Sequence, residues 1–190
     1  MKCQFCKKEF KTEVGYNNHK CLKKSRYENF NLLAYYIWKS WNKLVHLKLS
    51  TDEEKNKLRF INAKEYLIFE KFSDYINELQ PYDCYNYLEY LVKHNIPPKK
   101  WISSVYYHQW VYWYELKESK NIAIVRSKEY LDKNGIKDIN IVSENRLFNL
   151  LWNGRISPWY IQYIDIKLFL KLGDDLLLKL KDIISIIEKG

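Results

Sequence analysis

Cys3, Cys6, His19 and Cys21 are the residues of this chain whose types and spacing stand closest to chemistry. Cys3 and Cys6 have the C-x2-C interval that lets two sulfurs face one ion across a tight turn. His19 follows Cys6 after twelve residues, the interval of a finger built from a hairpin and a helix. Phe10 and Tyr16 fall where a ββα finger keeps its small apolar core, and Thr12 is placed to cap the finger's helix. The fourth donor departs from that pattern: Cys21 comes two residues after His19, not three to five. Residues i and i+2 lie about 200° apart on a helix, so the helix must end or tighten at His19 for Cys21 to turn back. The expected module is a short C2HC variant of a C2H2-type finger that binds zinc through all four residues. In so small a module zinc would supply most of the folding free energy, on the order of 10 kcal/mol. The alternative is a free Cys21, with zinc absent or held by three residues.

Charge gathers around the same stretch. Residues 1–26 carry eight basic side chains against Glu9 and Glu13, a net +6 of the chain's +9. Such a footprint marks where a polyanion would dock; the plainer reading is a soluble, lysine-coated surface. A base-reading finger would use Thr12, Gly15 and Asn18 at its three contact positions. Gly15 has no side chain, and none of the three is Arg, the commonest reader of guanine. The expected nucleic-acid contacts are therefore Lys7, Lys8, Lys11, Asn18, Lys20, Lys23, Lys24 and Arg26, with the cations acting on phosphates whatever the sequence. A lone finger can equally dock on protein.

The elements around this module read as helices. The chain has 190 residues, 47% of them hydrophobic, with only five glycines and four prolines. That composition supports a packed core and argues against a turn-rich β-sandwich or Gly-rich phosphate loops. The expected division is a finger with a basic connector over 1–26 and an all-helical domain over 27–190, of seven or eight helices. The segment from Asn31 to Leu49 is periodic, Thr51-x-x-Glu54 has the capping-box spacing, and one long helical stretch continues to about Leu79. Asp83 and Ser103 or Ser104 are expected caps, Asn134-Gly135 a helix stop, and Ser143 and Ser157-Pro158 helix starts. The last helix, from Asp174 to about Lys189, places Leu180, Ile183, Ile184 and Ile187 on its apolar face. Residues 136–142 could be extended but would lack a partner strand. The domain has its own core and no metal ligand.

Aromatic residues make up 17% of the chain and peak in YYHQWVYWY, residues 106–114. The segment reads first as a central core helix and second as a stacking platform for unpaired bases, with Lys99, Lys100 and Lys117 the nearby cations. No catalytic motif is found, and His46, His94 and His108 stand singly on expected helices. An enzyme is not expected. Neither a signal peptide nor a membrane span is expected, and the clustered cysteines suit metal binding in a reducing cytoplasm.

The order CQFCKKEFKTEVGYNNHKC, IPPKKWISSVYYHQWVYWYELK, IAIVRSKEYL, NGRISPW resembles a family of uncharacterised proteins of large T4-type tailed phages, which pair an N-terminal C2H2-like finger with a helical domain. The likeness covers most of the chain and is most specific in the finger. It implies zinc at Cys3, Cys6, His19 and Cys21 and a viral protein acting inside a bacterium, with no established activity. The helical half also looks faintly like helicase-loading accessory proteins of such phages. Two functions are expected: a nucleic-acid-binding accessory protein, or an adaptor or inhibitor docked on a host or phage protein.

Overall fold

The structure is a computed structural model that describes residues 1–189, with the side chains of 186–189 outside the description; the expected core residue Ile187 lies among them. Its regular elements are helical. They are α1 (Glu13–Asn17), α2 (Leu22–Glu28), α3 (Leu32–Leu44), α4 (Glu53–Ile61), α5 (Tyr66–Leu79), α6 (Cys84–Lys93), α7 (Ser104–Glu115), α8 (Lys120–Lys133), α9 (Glu144–Trp152), α10 (Ile166–Leu170) and α11 (Gly173–Lys189). Short 3-10 turns cover Pro98–Lys100, Ile139–Ile141 and Pro158–Tyr163. The all-α class expected from the sequence is present, with more and shorter helices. No helix among the described residues is long and apolar enough to cross a membrane.

The chain forms two compact units, Met1–Tyr75 and Ile76–Gly190, so the metal-ligand candidates fall in one unit with α3 and α4. The first unit is organised on aromatic rings. Phe60 is fully buried and meets Tyr35, Trp38 and Tyr66 at ring-centroid distances of 5.7, 5.6 and 4.9 Å. Several local expectations change here. The basic connector, residues 22–27, is helical and forms most of α2. Asp52, not Thr51, caps α4, its carboxylate accepting from the Lys55 amide. The stretch from Thr51 to Leu79 is broken into α4 and α5 at Asn62.

The second unit has an aliphatic cluster that includes Leu147, Leu150, Leu151, Ile156, Leu180 and Ile183. Beside it the aromatic helix α7 is a core element. Tyr107, Trp110 and Val111 are buried, and Trp110 donates to Asn86 Oδ1 at 3.0 Å while Tyr107 donates to the Asn153 carbonyl at 2.8 Å. Ser103 caps α7 in position only, without a side-chain capping bond. Asp83, Ser143 and Ser157 cap as expected, and Gly135 follows the Asn134 cap at a φ of 69°. Residues 139–141 form a 3-10 turn in place of the extended segment, because the Asp138 carboxylate accepts from the Asn140 amide.

A buried charge cluster ties this unit together. Arg126 donates to Glu115 at 2.6 Å, to both oxygens of Glu118, and to the Gly154 carbonyl at 3.2 Å. Its guanidinium also lies 3.7 Å from the Tyr82 ring centroid. Glu115 is 1% exposed and accepts from the Ser157 hydroxyl. Gly154 has a φ of +64°, and a Cβ there would lie 2.8 Å from Val111.

Removing one partner of such a cluster strands the other charges. Arg126→Met should lower unfolding stability by about 3–5 kcal/mol, read as a lower urea midpoint. His108 gives a pH signature. Its half-buried ring lies 4.0 Å from Trp152, and burial pushes its pKa down to about 4, against a bond to the Ser104 backbone that raises it. The unfolded imidazole titrates near 6.5, so protonation favours the unfolded chain. Stability should fall as pH drops from about 6.5 through about 4, and the urea midpoint of His108→Gln should fall less over that range.

Candidate metal centre

The N-terminal module is built on a knuckle. The Lys7 amide donates to the Cys3 carbonyl and the Cys3 amide to the Lys8 carbonyl, both at 2.9 Å. Closing this turn puts Lys7 in the left-handed region at a φ of 62°. The Phe10 amide then donates to the Met1 carbonyl, and one isolated antiparallel bridge joins Lys2 to Glu9. The expected ββα hairpin is corrected here: no β-strand is present among the described residues, because the chain bends into α1 directly after Phe10. Thr12 caps α1 as expected, accepting from the Gly15 amide at 3.1 Å. A Cβ at residue 15 would lie 3.1 Å from that capping hydroxyl, so the glycine leaves the cap undisturbed.

The helix stops at Asn17, with Asn18 as its C-cap. His19 therefore lies beyond the helix, which removes the angular conflict between positions 19 and 21. Cys21 is the N-cap of α2, its sulfur 3.4 Å from the Lys24 amide. One residue thus ends the module and starts the next helix.

These turns converge the four donors. One ligand atom from each of Cys3, Cys6, His19 and Cys21 lies within 4.8 Å of the other three. Cys3 and Cys21 are buried, and their sulfurs are 3.7 Å apart. A tetrahedral site with metal–sulfur bonds of about 2.3 Å has a sulfur–sulfur edge of about 3.8 Å. Cys6 Sγ lies 3.1 Å from His19 Nε2, the contact of a thiol hydrogen-bonded to an imidazole and shorter than a metal site's edge. The Phe10 ring packs on His19 at 4.7 Å and edge-on to Tyr16 at 5.9 Å, so the expected finger core forms in miniature. The donor set can hold a metal ion.

The thiols are electrostatically unequal. The Cys6 amide pulls the Cys3 thiol down to about 6, against burial and with help from the Phe5 amide. The Lys8 amide acts to lower Cys6, but burial and the neighbouring Cys3 and Cys21 sulfurs outweigh it and push Cys6 up. Thiolate is the form that binds metal, and Cys3 is closer to it than Cys6.

The expected cations divide. Lys7, Lys8, Lys11, Lys20 and Lys24 are exposed, as is Asn18, while Lys23 is half-buried. Lys24 also pairs with Glu28 at 3.7 Å. Arg26 is turned inward: it donates to the Ile61 carbonyl at 3.0 Å and lies 4.2 Å from the Tyr66 ring centroid. Its neighbour Tyr27 packs on Phe5 at 5.3 Å and donates to Glu54. These contacts fasten α2 to the knuckle on one side and to α4 on the other. An Arg-Tyr pair in a basic run is all that marks them among the residues. Comparison with protein families, curated proteins and solved structures found no match to this chain.

Elemental analysis of the purified chain should give one metal ion per molecule. Cys6→Ala should lose most of it, as should a chelator, and both should reduce the helical circular dichroism by no more than the contribution of α1 and α2.

Proposed function

We propose that this is a phage-encoded accessory protein that binds zinc through Cys3, Cys6, His19 and Cys21 and holds nucleic acid through phosphate contacts around that centre. The convergence of three thiols and one imidazole on one point carries the reading. Zinc has the borderline-soft character and the tetrahedral preference that suit such a set. When bound it supplies structure, holding the knuckle, His19 and the start of α2 together. The likeness to zinc-finger proteins of T4-type phages supports the same assignment.

The exposed lysines around the centre supply the attraction. Lys7 and Lys8 project from the knuckle turn, Lys11 precedes α1, and Lys20 lies between two ligands. Neutralising phosphates with such cations releases counterions and makes binding steeply salt-dependent. Base reading finds no support, since α1 spans only five residues and Gly15 and Asn18 offer little reach. Arg26 makes its contacts within its own unit and is not part of the proposed surface. A second reading, docking on a host or phage protein, draws on the apolar side chains the module leaves exposed: Val14 is 69% and Leu22 65% accessible.

A salt series with short duplexes separates the two. Under the nucleic-acid reading, affinity falls steeply with salt, is insensitive to sequence, and loses about 1–2 units of log–log slope in Lys7→Gln/Lys8→Gln. Absence of binding at about 50 mM salt would leave protein docking.

A further inference from the structure

A cleft of about 360 Å3 opens in the second unit, bordered by α9, the end of α8 and the residues just after α5 and α9. Its chemistry is one-sided. Arg146 and Arg155 line it with the side-chain amides of Gln80, Asn134, Asn145 and Asn149, and no carboxylate is among the lining residues. The buried Ile136 and Leu150 supply its apolar part.

The arginines are the telling residues. The chain has 27 lysines and only five arginines. Four of the five are used inside the protein. Arg26 holds the Ile61 carbonyl, Arg59 the Lys48 carbonyl, and Arg126 its two carboxylates. Arg155 holds the Glu78 and Leu79 carbonyls at the end of α5 through Nε and Nη2. That contact offsets the partial negative charge of the helix end, and it leaves Nη1 without a hydrogen bond among the described residues. The guanidinium of Arg146 has no partner at all among the described residues. The side chains of Gln80, Asn145 and Asn149 likewise make no hydrogen bond there, and Asn145 and Asn149 stand one turn apart on α9. Two cations and several unused amides therefore meet around one cleft.

We propose that this cleft binds the phosphomonoester of a small hydroxylated molecule, of the sugar-phosphate class. Arg146 and the free edge of Arg155 take the phosphate oxygens, and the amides of α9 take hydroxyl groups. A guanidinium fork matches the oxygens of a phosphate or a carboxylate. Charge selects between them: a phosphomonoester carries about −1.5 to −2 near neutral pH, which suits two cations with no opposing carboxylate better than the single charge of a carboxylate or a phosphodiester. Side-chain amides both donate and accept, as hydroxyl groups do. The volume falls in the range of small-molecule sites, about 300–1,000 Å3, and inorganic phosphate would leave most of it to water. The site lies in the second unit and uses no residue of the metal centre, so it stands or falls separately from the phosphate contacts proposed there.

The test is calorimetric titration of the full chain, metal bound, with ribose 5-phosphate, ribose, inorganic phosphate and succinate. Ribose 5-phosphate should bind with a Kd below about 1 mM, inorganic phosphate about tenfold more weakly, and ribose and succinate not measurably. Arg146 makes no internal contact, so Arg146→Gln should keep the urea midpoint while weakening ribose 5-phosphate about tenfold or more. Lys93→Gln removes the same charge from an exposed position on α6 outside the cleft, and should stay within about twofold of the parent. Asn145→Ala/Asn149→Ala should weaken ribose 5-phosphate and leave inorganic phosphate within about twofold. No heat from ribose 5-phosphate, unchanged affinity in Arg146→Gln, equal losses in Arg146→Gln and Lys93→Gln, or succinate binding as tightly as the sugar phosphate would each overturn the proposal. Lys7→Gln/Lys8→Gln should bind ribose 5-phosphate as the parent does; its loss of duplex binding reports on the metal module alone.

Discussion

The buried guanidinium of Arg126 is the point on which the second unit turns. It has two carboxylates to satisfy it, Glu115 at the end of α7 and Glu118 just beyond, and it takes the Gly154 carbonyl as well. Glu115 in turn accepts from Ser157, whose own amide donates to Ser127 at 2.8 Å. Ser127 and Ser157 are fully buried. In such surroundings each polar group must have its partner, because an unpaired one costs about 1–3 kcal/mol and an unpaired charge more. The cluster therefore fixes three distant segments at once. It also explains why Gly154 has no room for a side chain: the same close approach that brings its carbonyl to Arg126 sets its Cα against Val111.

The first unit has a smaller constraint of the same kind, centred on Cys21. Its sulfur faces the three other donors and also stands at the head of α2. From there Arg26 and Tyr27 run to α4, where Arg26 meets the Ile61 carbonyl and Tyr27 donates to Glu54, while the Arg26 guanidinium also stacks on Tyr66 at the start of α5. Tyr66 touches Phe60, the ring on which the aromatic core converges. The path from this candidate ligand to the core is five residues of helix and two side chains. An ordinary finger joined by a loose linker has no such path, and this is the main physical difference between the module expected and the module found.

Features set by local chemistry were readable in advance. The donor spacing, the Thr12, Asp83, Ser143 and Ser157 caps, and the Asn134-Gly135 stop each rest on a short-range rule, and each appears in the structure. Where residues compete for one role the reading failed. Thr51 and Asp52 both suit a cap, and the carboxylate takes it. The break after Ile61 falls in Asn-Ala-Lys-Glu, three of which favour helix, so no propensity marks it. Helix α2 reads only as a basic connector because its run of Lys and Arg dominates the stretch, whereas a cysteine caps it and Arg26 turns inward. The Arg126 cluster was hidden for another reason. Its members are ordinary residues on separate helices, and nothing in their spacing shows that they meet. Three separate stretches converge on it: Glu115 ends the aromatic run, Arg126 and Ser127 lie in IAIVRSKEYL, and Gly154 and Ser157 in NGRISPW.

Cys21 and Arg126 also differ in when they can be satisfied. The four candidate donors lie close together in the chain, the buried sulfurs of Cys3 and Cys21 being only 18 positions apart. The contact between Glu115 and Ser157 spans 42 positions, and Arg126 lies between them. Short loops close early and at low entropic cost, and chains fold from the N-terminus as they are made. The first anchor can therefore form before the helices that follow α2 have emerged. The second begins with short-range pairs, Arg126 with Glu118 eight positions away, and is complete only when Ser157 folds back over 42 positions to Glu115.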